Sequence, residues 1–425
     1  MSKEAQDIIH KIRSKMPTSG LFAGKTWRVS HQAFPLDSKT VLEMEKLGPR
    51  LLAFLKAANL LYRKSIQGKA PEWIARWLDQ GKPAELLEIS RSAAHKNELP
   101  GIIRPDLILT ETGFALSEVD SVPGGVGLTA WLNETYAGVG EPVVGGATGM
   151  KEAAFRHFPE GRVVISQEAS DYRPEMEWLF GKDRVSSAES YQFNGDPVYR
   201  FFECFDWMSL EMLRSGWHEG CRVQPPLKPY LEEKLWLALF WIRPLREYWR
   251  QQLGDRYYQD LCRLIPQSWV VEPSDLPPTA VLPGLEVHSW KEVGEFSQKE
   301  RDLILKISGF SPLAWGSRGV ILGSDVSGPE WKEAMEEALR SFPQSPYIVQ
   351  RFAKGKSVEH SYWDEKSGSV VQMQGRARIC PYYFIEEERA ELKGILVTLC
   401  PTDKKLIHGM QAAVIVPAKT EAPAV

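Results

Sequence analysis

Two apolar segments separated by a three-residue turn constrain the fold more than any other part of the sequence. Residues 102–110 (IIRPDLILT) and 114–119 (FALSEV) have the length and composition that are typical of strands. The residues between them, Glu111-Thr112-Gly113, form a turn sequence. We therefore predict an antiparallel hairpin, in which side chains two residues apart lie on the same face of a strand.

Four charged residues lie in this hairpin at positions that place them in pairs. Arg104 and Asp106 share a face of the first strand, and Glu118 and Asp120 share a face of the second. Burying them among apolar residues is unfavourable without a function or a compensating partner. Their carboxylate oxygens are ligands that suit Mg²⁺. The alternative is an ordinary strand pair whose alternate polar residues face solvent. The glycine-rich residues 121–127 would let a ligand approach the backbone, but spacing alone leaves both interpretations open.

Composition narrows the class of protein. The chain has 425 residues, of which 43% are hydrophobic and 25% charged, and this excludes a disordered, collagen-like or coiled-coil protein. The 52 basic and 55 acidic residues leave a net charge of −3, which gives no reason to expect nucleic acid or a membrane as a partner. The apolar run LWLALFWI is too short to span a bilayer, and the amino terminus lacks a signal-peptide core. Five scattered cysteines fit reduced thiols, so we expect a cytoplasmic protein.

The order of apolar patterns predicts a mixed α/β and α+β protein without internal repeats. A helical first part is followed by the hairpin, a short α/β unit, a long helical tract, a proline-rich linker and an α+β last third. The predicted helices are residues 38–61, 72–78, 83–94, 173–179, 229–262 and 331–339. The predicted strands are residues 102–110, 114–119, 162–166, 198–207 with its turn, 303–307, 319–322, 347–352, 369–379 and 394–399.

A lysine followed by small residues suggests a phosphate site in the last third. Lys306 ends an apolar strand and precedes residues 308–311 (SGFS) and Gly316-Ser317-Arg318-Gly319. Glycines let backbone N–H groups face an anion, and the ammonium neutralises its charge. The sequence contains neither GxxxxGK[ST] nor GxGxxG. The alternative is a lysine at the end of a strand followed by an ordinary glycine turn.

Two further strands carry candidate ligand-binding residues. Residues 347–352 (YIVQRF), which include Gln350, resemble a hinge against which a nucleotide base could lie. Arg376 and Arg378 lie two apart on one strand, and arginine suits phosphate or carboxylate through bidentate hydrogen bonds. A solvated strand face is the alternative for this arginine pair.

Taken in order, these motifs resemble a circularly permuted ATP-grasp protein of the glutathionylspermidine-synthetase-like kind. The family pattern is Arg-x-Asp, eleven residues, then Glu-x-Asn and a small-residue turn. The sequence has Arg104-Pro105-Asp106 and Glu118-Val119-Asp120 at that spacing, with Asp120 in place of the usual Asn. Residues 233–239 (EKLWLAL) resemble the family's first lysine segment. The resemblance covers residues 100 to 400 in patches.

The resemblance implies ATP and two Mg²⁺ ions as cofactors. Asp106, Glu118 and Asp120 would hold the metal, and Arg104, with Arg376 or Arg378, would stabilise charge on the transferred phosphate. The residues that would bind ATP are Lys234, Lys306, Gly316, Ser317, Arg318, Gly319 and Gln350. In this scheme residues 310–319 form a flap over the nucleotide.

The sequence patterns and the resemblance together predict a domain organisation. A helical region would precede the ATP-grasp core, which would enclose a small α/β substrate subdomain. The segments are residues 1–100 (mainly helical), 101–150 (metal-binding hairpin), 151–225 (small α/β subdomain), 226–416 (ATP-binding lobes) and 417–425 (disordered tail).

The activity that the resemblance implies is ATP-dependent carboxylate–amine ligation through an acyl phosphate. The partners would be a small carboxylate and an amine, with a peptide or a polyamine among the candidates, and not nucleic acid or a membrane. Two alternatives stay open on the same fold, a phosphotransferase and a nucleotide-binding protein without turnover. The sequence leaves open which substrates are used, which of the two arginines faces the site, and whether the protein is an oligomer, for which the aromatic-rich tract after residue 229 would be a reasonable interface.

Overall fold

A computed structural model describes residues 3–17, 27–274, 276–277, 280–314, 316, 318–407 and 412–421. The α-helices are α1 Lys3–Ser14, α2 Ser38–Ile66, α3 Glu72–Asp79, α4 Ala84–Arg91, α5 Val126–Ala137, α6 Gly149–His157, α7 Arg173–Phe180, α8 Glu211–Gly216, α9 Leu235–Leu239, α10 Arg246–Leu264, α11 Trp290–Gly294 and α12 Gly328–Ser341. The strands are β1 Phe34–Leu36, β2 Ile102–Thr110, β3 Gly113–Asp120, β4 Arg162–Ile165, β5 Val185–Ser187, β6 Val198–Phe201, β7 Val223–Gln224, β8 Ser268–Val271, β9 Leu303–Ile307, β10 Val320–Leu322, β11 Tyr347–Arg351, β12 Ser357–Asp364, β13 Ser369–Glu386, β14 Arg389–Pro401 and β15 Val414–Thr420. None of the helices in this part of the chain is long and apolar enough to cross a membrane.

The described residues divide into two compact units, each built from several stretches of chain. The first unit takes its residues from Met1–Leu52, Glu98–Leu227 and Lys354–Val425. The second unit takes its residues from Ala53–Asn97 and Lys228–Ala353. The helical region predicted for residues 1–100 therefore contributes to both units, and the segment 226–416 is shared between them in the same way.

A seven-stranded sheet is the largest element of the first unit. Its strand order is β1-β15-β14-β13-β2-β3, and β12 pairs with β13 beside this path. The predicted hairpin is confirmed as β2 and β3, which pair in antiparallel fashion at one edge. On a face of this sheet, α5 contacts β14 and β15. The helix is apolar on all sides, which is typical of a fully buried helix, and ten of its residues are buried.

A four-stranded sheet in the order β5-β4-β6-β7 completes the first unit. All its pairings are parallel. The short strands β4 and β6 are apolar and buried, as expected when helices cover a parallel sheet. The α/β unit that the sequence predicts in this part of the chain is confirmed.

The second unit contains an antiparallel sheet in the order β10-β9-β11-β8. Leu305 and Val349 on one face pack with Trp331 of α12 in an apolar core. On the opposite face, α9 contacts β8 and β11. Because side chains alternate along a strand, Lys306 and Gln350 point toward the face that α9 covers. The alternation along these strands therefore decides where the polar residues of the sheet lie.

The predicted helical tract is present but interrupted, and the prediction of a disordered tail is wrong for the residues that the structure describes. Residues 229–262 are not one helix, because α9 ends before the single turn Arg243–Leu245, which contains Pro244, and α10 is kinked at Gly254 with φ 72°. Proline cannot donate the helical hydrogen bond, and a positive φ breaks the helical path. The tail is not disordered at residues 417–420, since these pair with β14 and β1 as part of β15. Residues 422–425 of the predicted tail lie outside the described part of the chain.

Candidate functional site

The register of the β2–β3 hairpin brings the four predicted charged residues together. Arg104 lies opposite Asp120, and Asp106 lies opposite Glu118. Directly opposite side chains on an antiparallel pair are close neighbours on one face. The prediction that the two charged pairs converge is therefore confirmed.

Two irregularities in the sheet coincide with these residues. The β2–β3 register shifts between Asp106 and Leu107, which is a bulge. The β2–β13 ladder pairs Ile379 with Leu107 and resumes only at Tyr383 and Ile103. Pro105 and Pro381 lie in the gap, and neither can donate a ladder hydrogen bond. Bulges and interrupted ladders re-aim side chains, and here they lie where the charged residues meet.

Arg104 is the centre of this cluster. Its terminal Nη2 lies 2.9 Å from Oδ2 of Asp120, and its Nε lies 3.0 Å from Oδ1 of Asp106 in an ion pair. Its Nη1 donates to the carbonyl oxygen of Gly124 at 2.9 Å. The guanidinium therefore bridges the two aspartates and ties β2 to the glycine-rich turn.

A second arginine reaches the cluster from β13. Nη1 of Arg378 donates to Oδ2 of Asp106 at 3.1 Å, and Sγ of Cys380 lies 3.3 Å from Oδ1 of the same carboxylate. Arg376 instead donates to the carbonyl oxygens of Thr402 and Lys404. The structure thus answers the choice between the two arginines for this cluster, because Arg378 contacts Asp106.

Burial and charge shift the ionisation of the cluster. Burial, with the charges of Glu118 and Asp106, raises the pKa of Asp120 from 3.8 to about 6, although Arg104 opposes the shift. Burial would lower the pKa of Arg104, but Asp106 and Asp120 hold it well above its usual value. Burial raises the pKa of the Cys380 thiol to about 12, so this cysteine is protonated at neutral pH. A carboxyl that titrates near neutrality is a frequent property of functional sites.

The carboxylates are not arranged as a metal-ligand set. Among the described residues, no group of three or more histidine, cysteine, aspartate or glutamate side chains is placed to hold a metal ion. The reason is that Arg104 pairs with both Asp106 and Asp120, and Arg378 takes a further oxygen of Asp106. In this arrangement the residues do not fit Mg²⁺, and a cation would first have to displace a guanidinium. Their assignment as magnesium ligands stays a prediction.

The glycine-rich turn after β3 serves the packing of α5. Oε1 of Glu175 on α7 accepts from the backbone N of Gly125, and its Oε2 accepts from the backbone N of Leu128, each at 2.8 Å. Gly125 has φ 85°, and a Cβ there would lie 2.8 Å from the hydroxyl of Tyr382. The carboxylate of Glu175 therefore accepts backbone hydrogen bonds at the start of α5. This is the segment in which the sequence suggested that a ligand approaches the backbone.

In the second unit, Lys306 is held by a chain of side chains across three strands. Its Nζ donates to Oε1 of Gln350 at 2.8 Å, and Nε2 of Gln350 donates to Oγ of Ser268 at 3.0 Å. All three residues are buried. The side chain of Gln350 therefore orients the lysine, and its predicted role at a nucleotide base stays a prediction.

Lys234 lies at the loop that follows β9. Its Nζ donates to the carbonyl oxygens of Ser308 and Ala314, each at 3.3 Å. Ser308 follows Lys306 by two residues, so both predicted lysines border the same segment of chain. Because the two lysines are 72 positions apart in sequence (306 − 234), only packing of α9 on the sheet brings them to one loop.

The glycines after this loop close the β9–β10 hairpin. Gly319 donates its N–H to the carbonyl of Leu313 at 2.8 Å and accepts from the N–H of Ile307 at 3.1 Å. Gly316 has φ 64°, which a glycine adopts without strain. The side chain of Arg318 is exposed. Ser317 lies outside the described residues.

Sequence reasoning missed a buried ion pair beside Lys234. Nζ of Lys82 contacts Oε1 of Glu233, and neither side chain is exposed to solvent. The residues are 151 positions apart in the chain. A buried lysine between two short helices has no local pattern that distinguishes it from a surface lysine, so no sequence signal indicates this pairing.

Comparisons with known proteins support the fold. No protein-family model and no curated protein matches the sequence. Among solved structures, the chain is similar to a glutathione synthetase-like effector from Globodera pallida in its apo form, with a TM-score of 0.53, 8% identity and coverage of 99% of this chain and 96% of that one. A candidate gamma-glutamylcysteine synthetase from Methylobacillus flagellatus KT matches with a TM-score of 0.39, 11% identity and coverage of 89% and 88%. The first similarity extends over nearly the whole of both chains, and at 8% identity it shows a shared fold.

Proposed function

We propose that the protein is an ATP-dependent ligase that joins a carboxylate to an amine through an acyl phosphate. The observation that carries this proposal is the largely buried cluster around Arg104, in which Arg104 and Arg378 pair with Asp106 and Asp120 at an interrupted part of a sheet, with Glu118 opposite Asp106. Buried charges stabilise a fold poorly, so a cluster of this size is better explained by function. The fold shared with a protein called glutathione synthetase-like supports the same class of reaction.

In the proposed reaction, an oxygen of the substrate carboxylate attacks the γ-phosphorus of ATP, and the bond to the β-phosphate oxygen breaks to release ADP. The amine nitrogen then attacks the acyl carbon, phosphate leaves with its bonding electrons, and the nitrogen loses a proton. Lys234 and Lys306 would neutralise charge on the ATP phosphates. Arg104 and Arg378 would stabilise charge on the transferred phosphoryl group. A requirement for Mg²⁺ is part of the proposal, and no step is derived through the metal.

Release of ADP tests the proposal. Purified protein is incubated with ATP and Mg²⁺, with small peptides or amino acids as carboxylates and amino acids or polyamines as amines. A ligase releases ADP only when both substrates are present and forms an amide that mass spectrometry detects. A phosphotransferase releases ADP without the amine, and a nucleotide-binding protein without turnover binds ATP and releases none.

The matched variants are Lys306→Met and Lys299→Met. Both remove a lysine of the second unit, but Lys306 is buried beside Gln350 and Lys299 is exposed. We expect Lys306→Met to weaken ATP binding at least tenfold and Lys299→Met to leave it unchanged. If wild-type protein does not bind ATP with or without Mg²⁺, the proposal is wrong.

A further inference from the structure

The buried carboxylate of Glu233 lies between the residues that begin α9 and the loop that follows β9. Glu233 directly precedes Lys234, and its side chain is fully buried. Its carboxylate accepts hydrogen bonds from Oγ of Ser308 and from the backbone N of Phe310, the second at 3.4 Å. The backbone N of Leu235 donates to the same Ser308 hydroxyl at 2.9 Å. One carboxylate therefore ties the start of the loop to the start of α9.

The loop passes close to the carboxylate of Glu233 at Gly309. A Cβ at Gly309 would lie 2.7 Å from the carboxyl carbon of Glu233. Because the loop is held there, the carbonyl oxygens of Ser308 and Ala314 lie where Nζ of Lys234 contacts them. The position of the Lys234 ammonium thus depends on where Glu233 holds residues 308–314.

A carboxylate this deeply buried needs a counterion, and Lys82 supplies it. Its ammonium contacts Glu233 and also lies 5.5 Å from the ring centroid of Phe310 in the same loop. If Lys82 were absent, Glu233 would be a buried charge without that partner, and the adjacent Lys234 would be the nearest cation along the chain. Because Lys82 is the cation that pairs with Glu233, the ammonium of Lys234 contacts the carbonyl oxygens of the loop instead.

We propose that Lys82 and Glu233 form a positioning pair, which sets the loop of residues 308–314 and, through it, the ammonium of Lys234 for a nucleotide phosphate. The identity of the ligand, a nucleotide phosphate, rests on the proposed function. The effect of the pair on the position of the loop does not depend on that proposal. Neither residue contacts the phosphate in this role. Their contribution is to hold the lysine and the loop in one geometry before a nucleotide binds.

Two readouts on Lys82→Met test the pair. Hydrogen exchange of the backbone amides in residues 308–314 is measured without nucleotide, and the dissociation constant of AMP-PNP is measured by calorimetry with Mg²⁺. We expect exchange at least tenfold faster in this loop and a dissociation constant at least tenfold higher. The matched control is Lys228→Met, which removes another buried lysine of the second unit, one that donates to Asn59 and to the carbonyl of Lys96. The control is expected to lower the melting temperature while leaving loop exchange and AMP-PNP affinity unchanged.

Each outcome decides the inference. A folded Lys82→Met protein whose loop exchange or AMP-PNP affinity stays within twofold of wild type overturns it, and so does an equal loss in Lys228→Met. If Lys82→Met does not fold, Glu233→Gln replaces it under the same criteria, because the amide keeps the shape of the side chain. If wild type fails to bind AMP-PNP but the loop of Lys82→Met exchanges faster, the positioning pair is supported and the proposed function is wrong.

Discussion

At the residue scale, Arg104 shows how the fold compensates charges that it buries. The guanidinium contacts Asp106, Asp120 and the carbonyl of Gly124, so each of its nitrogens lies near an oxygen. A buried ion pair adds little net stability, but removing one partner leaves the other charge without compensation. Arg104 is therefore required for stability even if it also acts on a substrate.

The variant Arg104→Leu is expected to lower the free energy of unfolding by about 3 kcal/mol, because Asp106 and Asp120 lose their shared cation. Urea denaturation monitored by tryptophan fluorescence measures the change. Arg156→Leu is the control, since Arg156 pairs with Glu386 and is 54% exposed. An exposed pair contributes below about 1 kcal/mol. Equal stability losses in the two variants would contradict the buried role of Arg104.

Asp120 is expected to make the folded protein less stable as pH rises, because its pKa is raised by folding, whereas most carboxyl groups in proteins have a lowered pKa. Burial raises its pKa from 3.8 to about 6 in the folded protein, so the folded state binds the proton more tightly than the unfolded state does. The free energy of unfolding of the wild type, relative to that of Asp120→Asn, therefore falls as pH rises from 4 to 6 and is constant above pH 7. A shift of this size corresponds to roughly 2 to 3 kcal/mol.

Urea unfolding of wild type and Asp120→Asn at pH 4.5, 6 and 7.5 measures this difference. The comparison cancels the titration of carboxyl groups remote from Asp120, because both proteins contain them in the same surroundings. If wild type gains stability relative to the variant as pH rises, the pKa of Asp120 is lowered by Arg104 rather than raised by burial.

At the element scale, the β9–β10 hairpin depends on a close approach at one glycine. A Cβ at Gly319 would lie 2.5 Å from Cγ2 of Ile307 and 2.8 Å from the carbonyl oxygen of Leu313. Gly316 differs, since its φ is 64° and a Cβ there would meet no atom of the described residues within 4 Å. The same substitution at the two positions therefore separates a steric requirement from a conformational one.

We expect Gly316→Ala to cost about 1 kcal/mol, because alanine tolerates a positive φ poorly. Gly319→Ala is expected to cost more than twice as much and to speed amide exchange at Ile307, whose N–H donates to Gly319. Chemical denaturation and hydrogen exchange measure the two effects. The interpretation fails if Gly319→Ala is the milder substitution.

At the scale of the whole molecule, the candidate residues lie in two compact units. The cluster around Arg104 belongs to the first unit, whereas Lys234, Lys306 and the loop after β9 belong to the second. A nucleotide that binds only the folded protein stabilises it by mass action, by about 2.7 kcal/mol at a concentration one hundred times the dissociation constant. Thermal unfolding therefore reports on nucleotide binding by the complete chain.

AMP-PNP with Mg²⁺ is expected to raise the melting temperature of wild type, and EDTA is expected to reduce that increase. The variant Glu118→Ala should lose the part that depends on Mg²⁺ if this carboxylate is a metal ligand, as the family resemblance predicts. Glu111→Ala, at the exposed turn of the same hairpin, should behave as wild type does. A full Mg²⁺-dependent increase in Glu118→Ala would exclude this carboxylate from the metal site.

The sequence alone determined the local structure of the chain and part of the candidate site. Strand alternation predicted the β2–β3 hairpin and the convergence of its charged residues, because register and face follow from neighbouring positions. Apolar periodicity predicted α2, α7 and the strands β9, β10 and β11 of the second unit in the same way, but it did not predict β8. It also predicted the helical tract of residues 229–262, but not the breaks that Pro244 and Gly254 introduce.

Only the tertiary structure decided which distant residues complete the two clusters. Arg378 reaches Asp106 across 272 positions, and Lys82 reaches Glu233 across 151. No periodicity spans such separations, since contacts between remote segments depend on how whole strands and helices pack. The same packing assigned Glu175 to the start of α5 and Gln350 to Lys306. Local patterns therefore place charged residues on elements, and long-range packing determines which partners they meet.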